Sequence, residues 1–136
     1  MLIDIHYSGE GLPFENIDAI RPHIRAWFLC GSQITCSPPV MDTDRDVMVL
    51  VHDAMELAVA AEMDGFSMGG SMPPVDCAAA FVYVSMRRGK DNLIFTGDQL
   101  FFDKFRAATA VSKRLNLLKK DDRIMLFQSV LYGNAC

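Results

Sequence analysis

The sequence predicts an α+β domain in which helices pack on one small mixed β-sheet and a pair of helices ends the chain. Short apolar runs, among them Ala26–Cys30 and Val47–Val51, have the length and composition of buried strands. The stretch from Asp98 to Tyr132 instead has its large apolar residues at helical spacing. A chain of 136 residues, 51% of them hydrophobic, fits a single domain over residues 1–136 with a core of its own.

The N-terminal half is predicted to alternate helices with strands. A helix is expected over Phe14–Arg25, because Ile17, Ile20 and Ile24 recur at helical spacing, although Pro22 should end or kink it. The elements expected after it are a strand, a short helix, a strand, a helix and a short strand, over 26–30, 31–35, 45–51, 54–63 and 66–68.

The C-terminal half is predicted to hold a hairpin followed by two helices. Glycine and proline predict a loop over residues 69–74. A strand over Phe81–Arg87 should turn at Gly89 into a second strand, Asn92–Thr96. Asp98 is expected to cap a helix that runs to residue 115, and Asp121 a helix over residues 122–132.

Asp44 and Asp46 open the second apolar strand, and their spacing indicates a metal site. Side chains of a strand alternate between faces, so both carboxylates project the same way, roughly 7 Å apart at their Cα atoms. Like charges on one face repel unless a cation lies between them, and oxygen ligands suit Mg²⁺ better than zinc. The alternative is a solvated strand edge whose charges only flank a hydrophobic run.

Gly31-Ser32 follows the first apolar strand and has the features of a phosphate-binding turn. Glycine lets the backbone approach a phosphate closely, a following helix offers free N–H groups, and the Ser32 hydroxyl is a further donor. The alternative is a turn that merely ends the strand.

This combination of Gly31-Ser32 and Asp44-x-Asp46 resembles the nucleotidyltransferases of the polymerase-β superfamily, in minimal single-domain form. Residues 92–96, 113–117 and 126–133 also resemble small phage-encoded nucleotidyltransferase proteins. The resemblance implies that Asp44 and Asp46 hold Mg²⁺ or Mn²⁺ and that Gly31-Ser32 holds the triphosphate of a nucleoside triphosphate. The implied reaction moves a nucleoside monophosphate to an acceptor hydroxyl, and Arg45 departs from the usual apolar residue between the two acids.

The superfamily adds a third carboxylate from a neighbouring strand, and its counterpart here is not evident. On the strand 81–87, alternation places Ser85 and Arg87 on the inward face, and neither is acidic. Asp76 is therefore the candidate for the third catalytic carboxylate, which by the resemblance would act as general base on the attacking hydroxyl or help bind the catalytic metal. Arg87 is expected to help bind the nucleotide by bidentate contact with phosphate, the alternative being an ordinary exposed turn with Arg88 and Lys90.

Charge and composition bound the remaining possibilities. Residues 1–76 carry a net charge of −9 and residues 77–136 one of +5, which together give −4. This split fits either internal complementarity or an acidic metal-binding half beside a basic phosphate-binding half. The four cysteines lack metal-ligand spacing, and no signal peptide or membrane span is evident, so a cytoplasmic location is expected, in the host if the protein is phage-encoded.

Two functions follow as expectations. The first is a Mg²⁺-dependent nucleotidyltransferase whose acceptor is a protein or RNA, with a partner or a homodimer supplying the acceptor site. The second is a catalytically degenerate phage protein of the same fold that acts by binding a host protein. A nucleotide-binding regulatory module without transfer is a weaker third possibility.

Overall fold

The computed structural model describes residues 3–39, 44–68 and 83–132. Over these residues the chain is an α+β fold with six strands and four helices. The strands are β1 (His6–Tyr7), β2 (Ile24–Cys30), β3 (Arg45–Val51), β4 (Ser67–Met68), β5 (Val84–Arg88) and β6 (Asp91–Thr96). The helices are α1 (Ser32–Thr35), α2 (Ala54–Met63), α3 (Gln99–Leu115) and α4 (Lys120–Tyr132).

The strands form one mixed sheet in the order β1-β2-β3-β6-β5-β4. Every neighbouring pair is antiparallel except β3 and β6, which run parallel at the centre. The predicted mixed sheet is therefore confirmed, as is the hairpin of β5 and β6 through a tight turn at Gly89, where φ is +60°.

Both faces of the sheet are covered, and β3 is buried on each of them. Val47 and Val49 face a core completed by α2 and the N-terminal segment. Met48 and Leu50 face a second core completed by α3 and α4, the predicted C-terminal helix pair. Burial on both faces explains why β3 is an unbroken apolar run rather than an alternating one. No helix of the described residues is long and apolar enough to cross a bilayer.

The predicted helix over Phe14–Arg25 is wrong. The segment is irregular, apart from a single 3-10 turn at Arg21–His23, and β2 begins at Ile24. Pro22 lies within the 3-10 turn, where the missing N–H and fixed φ are tolerated, whereas a helix interior would lose a hydrogen bond there.

Tertiary contacts satisfy the backbone of this segment in place of a helix. The Asp64 carboxylate accepts the N–H of Ala19 at 3.0 Å and that of Ile20 at 3.0 Å. Ile17 and Ile20 are each 0% exposed, so the apolar spacing reflects anchoring against the sheet rather than helix periodicity.

The remaining predictions are mostly confirmed, with differences at the ends of elements. The helix α2 has the predicted bounds, and Asp98 caps α3 by accepting the N–H of Phe101 at 3.0 Å. The prediction that Asp121 caps the last helix is wrong, because α4 begins at Lys120 and Asp121 lies within its first turn. The strand β1 was not predicted, and the predicted loop over residues 69–74 lies outside the described residues.

Arg88 fastens the irregular N-terminal segment to the sheet. Its guanidinium donates to the carbonyls of Asn16 at 3.0 Å and Asp64 at 2.9 Å, and also to that of Glu15. The same group lies 4.5 Å above the centre of the Phe66 ring. Arg88 is therefore a structural residue, because its guanidinium donors are occupied by backbone carbonyls and not directed at a phosphate site.

We expect Arg88→Ala to lower the free energy of unfolding by about 2 to 3 kcal/mol, because several carbonyls lose a charged donor at once. Urea unfolding of the variant measures this loss. Arg25→Ala, which removes an exposed arginine from β2, is the matched control and should stay within about 0.5 kcal/mol of the parent. Equal losses in the two variants would contradict the assignment.

Candidate functional site

A cavity of about 390 Å³ opens where β2, β3, β5 and β6 meet the face covered by α3 and α4. Five residues predicted from the sequence line it together: Gly31, Ser32, Asp44, Asp46 and Arg87. The sixth, Asp76, lies outside the described residues. The structure thus brings the predicted metal-binding and phosphate-binding residues to one place.

The register of the sheet sets the floor of this cavity. Asp46 of β3 pairs with Cys30 of β2 on one side and with Asn92 of β6 on the other, and Asn92 in turn pairs with Arg87 of β5. Directly paired residues project from the same face, so these side chains form one row across four strands. Asp44 lies two residues before Asp46, as expected for a shared face.

Gly31 is required by the close approach of the Asp46 carboxylate. Its φ is +79°, and a Cβ built at this position would overlap Asp46 Oδ2. A side chain at Gly31 would therefore be strained by both the backbone and its neighbour. The contact with Asp46 explains the need for glycine at position 31 without any bound phosphate. A loss of nucleotide binding in Gly31→Ala would therefore not by itself show that this turn binds phosphate. The following helix α1 is only one turn long, so its dipole contributes little.

Asn92 is a site residue that the sequence did not single out. Its Nδ2 donates to Asp46 Oδ1 at 2.6 Å, and its Oδ1 accepts the hydroxyl of Ser85 at 2.7 Å. The predicted inward orientation of Ser85 is consistent with this chain of hydrogen bonds. Only the parallel register of β3 and β6 brings Asn92 to Asp46, and no local pattern predicts that register.

The pKa of Asp46 is raised, chiefly because burial disfavours the carboxylate and only partly offset by the hydrogen bond from Asn92. Burial also raises the pKa of the neighbouring Cys30 thiol, and the charge of Asp46 raises it further. Cys30 is therefore held as a neutral thiol, which is a poor nucleophile. Cys30 therefore serves as a small core residue within this row.

Arg87 forms an ion pair with Asp44 at the edge of the cavity. The two side chains remain 36% and 33% exposed, so the pair contributes little to stability but is open to exchange with a ligand. Within the described structure Nε of Arg87 is buried without a hydrogen-bond partner. The guanidinium therefore retains donor capacity while it neutralises one of the two candidate metal ligands.

The opposite wall of the cavity combines cationic and apolar groups. Lys120 and Arg123 come from the first turns of α4, and Arg123 also donates to the carbonyl of Leu117 at 2.8 Å. Ile94 and the aromatic pair Phe105 and Phe127, whose ring centres are 5.0 Å apart, supply the apolar part. A ligand with an anionic group and a flat apolar group would fit such a lining.

Asp44 and Asp46 are the carboxylates of the cavity that could hold a metal ion. Among the described residues no group of three or more histidine, cysteine, aspartate or glutamate side chains could hold a metal ion. Mg²⁺, however, is commonly bound by one or two carboxylates together with water and substrate phosphates. Asp44 and Asp46 meet that requirement once Arg87 releases Asp44.

Comparisons of the chain with protein-family models, with curated proteins and with solved structures found no match.

We expect Asp46→Asn to stabilise the fold at neutral pH. The variant keeps an acceptor for Asn92 and removes a buried charge. Because the folded pKa is raised above the unfolded one, the parent loses stability as the pH rises through the interval between them. The gain in the urea midpoint should therefore be small in acid and full at neutral pH.

Asp4→Asn, which removes an exposed carboxylate, is the matched control and should show no such pH-dependent gain. A lower urea midpoint for Asp46→Asn at neutral pH would contradict the assignment of Asp46 as a carboxylate held at a cost in stability.

Proposed function

We propose that this protein is a Mg²⁺- or Mn²⁺-dependent nucleotidyltransferase with a minimal nucleotidyltransferase-like fold. The observation that carries the proposal is the convergence of Asp44, Asp46, Gly31, Ser32 and Arg87 on one cavity. These are the residues to which the resemblance assigns metal and nucleotide binding. They come from β3 and the residue just before it, from β5, and from the turn after β2 with the first residue of α1.

Each part of the cavity has a role in this proposal. Asp44 and Asp46 would hold the metal, which would neutralise charge on the triphosphate and polarise the phosphoryl group under attack. Ser32 donates to phosphate oxygens, and Arg87 turns from Asp44 to the triphosphate. The apolar wall of Ile94 and Phe127 receives the nucleoside base.

The reaction forms one bond and breaks one. The oxygen of an acceptor hydroxyl attacks the α-phosphorus of the nucleoside triphosphate, and the bond between that phosphorus and the pyrophosphate oxygen breaks. Pyrophosphate leaves, and the hydroxyl proton passes to a base. Asp76 is proposed for that base on sequence grounds, because Asp44 and Asp46 are committed to the metal. The acceptor is a protein or RNA, brought by a partner or by a second copy of the chain.

Asn92 favours a second candidate, a catalytically degenerate protein of the same fold. It occupies the neighbouring-strand position opposite Asp46, where a carboxylate would complete a three-acid site. An amide there holds Asp46 but can neither accept the hydroxyl proton nor add a charge to the metal site. Such a protein would bind nucleotide or a host protein without transferring the nucleotide.

We expect the protein to incorporate label from a nucleoside triphosphate labelled at the α-phosphate into a macromolecule of a cell lysate when Mg²⁺ or Mn²⁺ is present. Asp44→Asn/Asp46→Asn should remove this labelling, because no other group replaces the metal ligands. Asp4→Asn is the matched control and should retain it.

Binding is read separately, as the rise in Tm that the metal and triphosphate cause in the unlabelled protein. A rise in Tm without any labelling would favour the degenerate alternative. If every common triphosphate is tested and there is no rise in Tm and no labelling, the proposed nucleotide site itself is overturned.

We expect Arg87→Gln to change metal and nucleotide binding in opposite directions. Removing the guanidinium releases Asp44, so Mn²⁺ alone should bind about tenfold more tightly. The triphosphate with Mn²⁺ should bind less tightly, because its phosphates lose a charged donor. Calorimetric titration measures both affinities, with Arg25→Gln as the exposed control. An unchanged Mn²⁺ affinity would show that the ion pair does not compete with the metal.

A further inference from the structure

The helix α2 exposes an apolar stripe on the side of the sheet away from the cavity. Met55, Val59 and Met63 are spaced four residues apart and therefore share one face over about 12 Å of helix. They are 82%, 62% and 76% exposed, whereas Leu57 and Ala61 of the same helix are fully buried. The helix is thus apolar on its inner and outer faces, which is unusual for a surface helix.

A groove of about 570 Å³ runs beside this stripe, between α2 and the 3-10 turn. Val59, Ala60 and Met63 form its helix side, and Ala19 and Pro22 form the other. Methionine side chains are flexible and polarisable, so a methionine-lined surface adapts readily to an apolar partner. The stripe and groove form one continuous surface, called here the α2 surface.

The charges around the α2 surface are acidic. Asp18 and Glu56 line the groove, and Glu62 lies on the same helix. The helix carries no lysine or arginine, and among the described residues that line the groove the only basic type is His23. The nearby Arg21 donates to the carbonyl of Gly9 at 2.9 Å. An apolar centre with an acidic rim complements a partner whose apolar face is flanked by lysine and arginine.

We propose that the α2 surface is a docking site for a basic amphipathic helix of another protein. The apolar face of that helix would lie on Met55, Val59 and Met63, and its basic flank would meet Asp18 and Glu56. An amphipathic helix in an apolar groove is a recurrent mode of recognition. The proposal does not depend on the nucleotide cavity, which lies on the other face of the sheet.

Binding is tested with a labelled helical peptide of lysine and leucine, and with its glutamate and leucine counterpart of equal length. Fluorescence anisotropy should show binding of the basic peptide only, and added salt should weaken it. Equal binding of both peptides, or of neither, would overturn the proposal.

Val59→Glu separates docking from simple attraction to an acidic protein. The added charge should tighten a purely electrostatic association, whereas loss of the apolar contact should weaken docking by about tenfold. Met125→Glu, at a residue of α4 that is 68% exposed on the other side of the sheet, is the matched control and should leave binding unchanged. Tighter binding by Val59→Glu, or equal loss in both variants, would refute docking at this surface.

Two further outcomes would overturn the proposal, because each would show that something other than a basic helix covers the α2 surface. A lowered urea midpoint in Val59→Glu, with Met125→Glu unaffected, would mean that the chain itself covers the stripe. Self-association of the protein would assign the surface to a second copy if Val59→Glu abolished it and the basic peptide did not compete with it.

The double variant Asp18→Asn/Glu56→Gln tests the acidic rim. It should leave stability unchanged and reduce both the affinity for the basic peptide and the salt dependence of that affinity.

Discussion

The parallel pairing of β3 with β6 is the constraint on which the rest of the structure depends. It places β3 at the centre of the sheet, where its apolar residues are buried on both faces. The same register sets Asn92 beside Asp46 at the floor of the cavity. A shift of one residue would reverse the faces of β6. Leu93 and Phe95 would leave the core that they share with α2, and the amide of Asn92 would leave the carboxylate of Asp46.

At Asp46 the burial of a carboxylate opposes local stability. A carboxylate in this position is partly desolvated, and it lies so close to Gly31, which adopts a positive φ, that a side chain could not be placed there. The fold tolerates it through a hydrogen bond from Asn92, and that amide is itself oriented by Ser85. In the proposed metal site, a cation bound beside Asp46 would favour the charged form of this carboxyl and so offset the cost of burying it.

The two faces of the sheet are covered by different elements and offer different surfaces. The face covered by α3 and α4 encloses charged and apolar groups in a cavity suited to a small anionic ligand. The other face is sealed by an irregular N-terminal segment, which Arg88 and Asp64 hold in place through backbone groups. That arrangement leaves the outer side of α2 available as a surface, so a ligand and a macromolecular partner could be bound independently.

The sequence by itself determined the α+β class, most helices and strands, and the shared face of Asp44 and Asp46, because alternation and helical spacing are local properties. Tertiary structure alone decided that residues 14–25 are not a helix, since Asp64 and Arg88 satisfy that backbone from distant positions. It also decided the role of Asn92 and the engagement of Arg87 with Asp44. Both depend on strand register, which arises from pairing between segments that are remote in sequence.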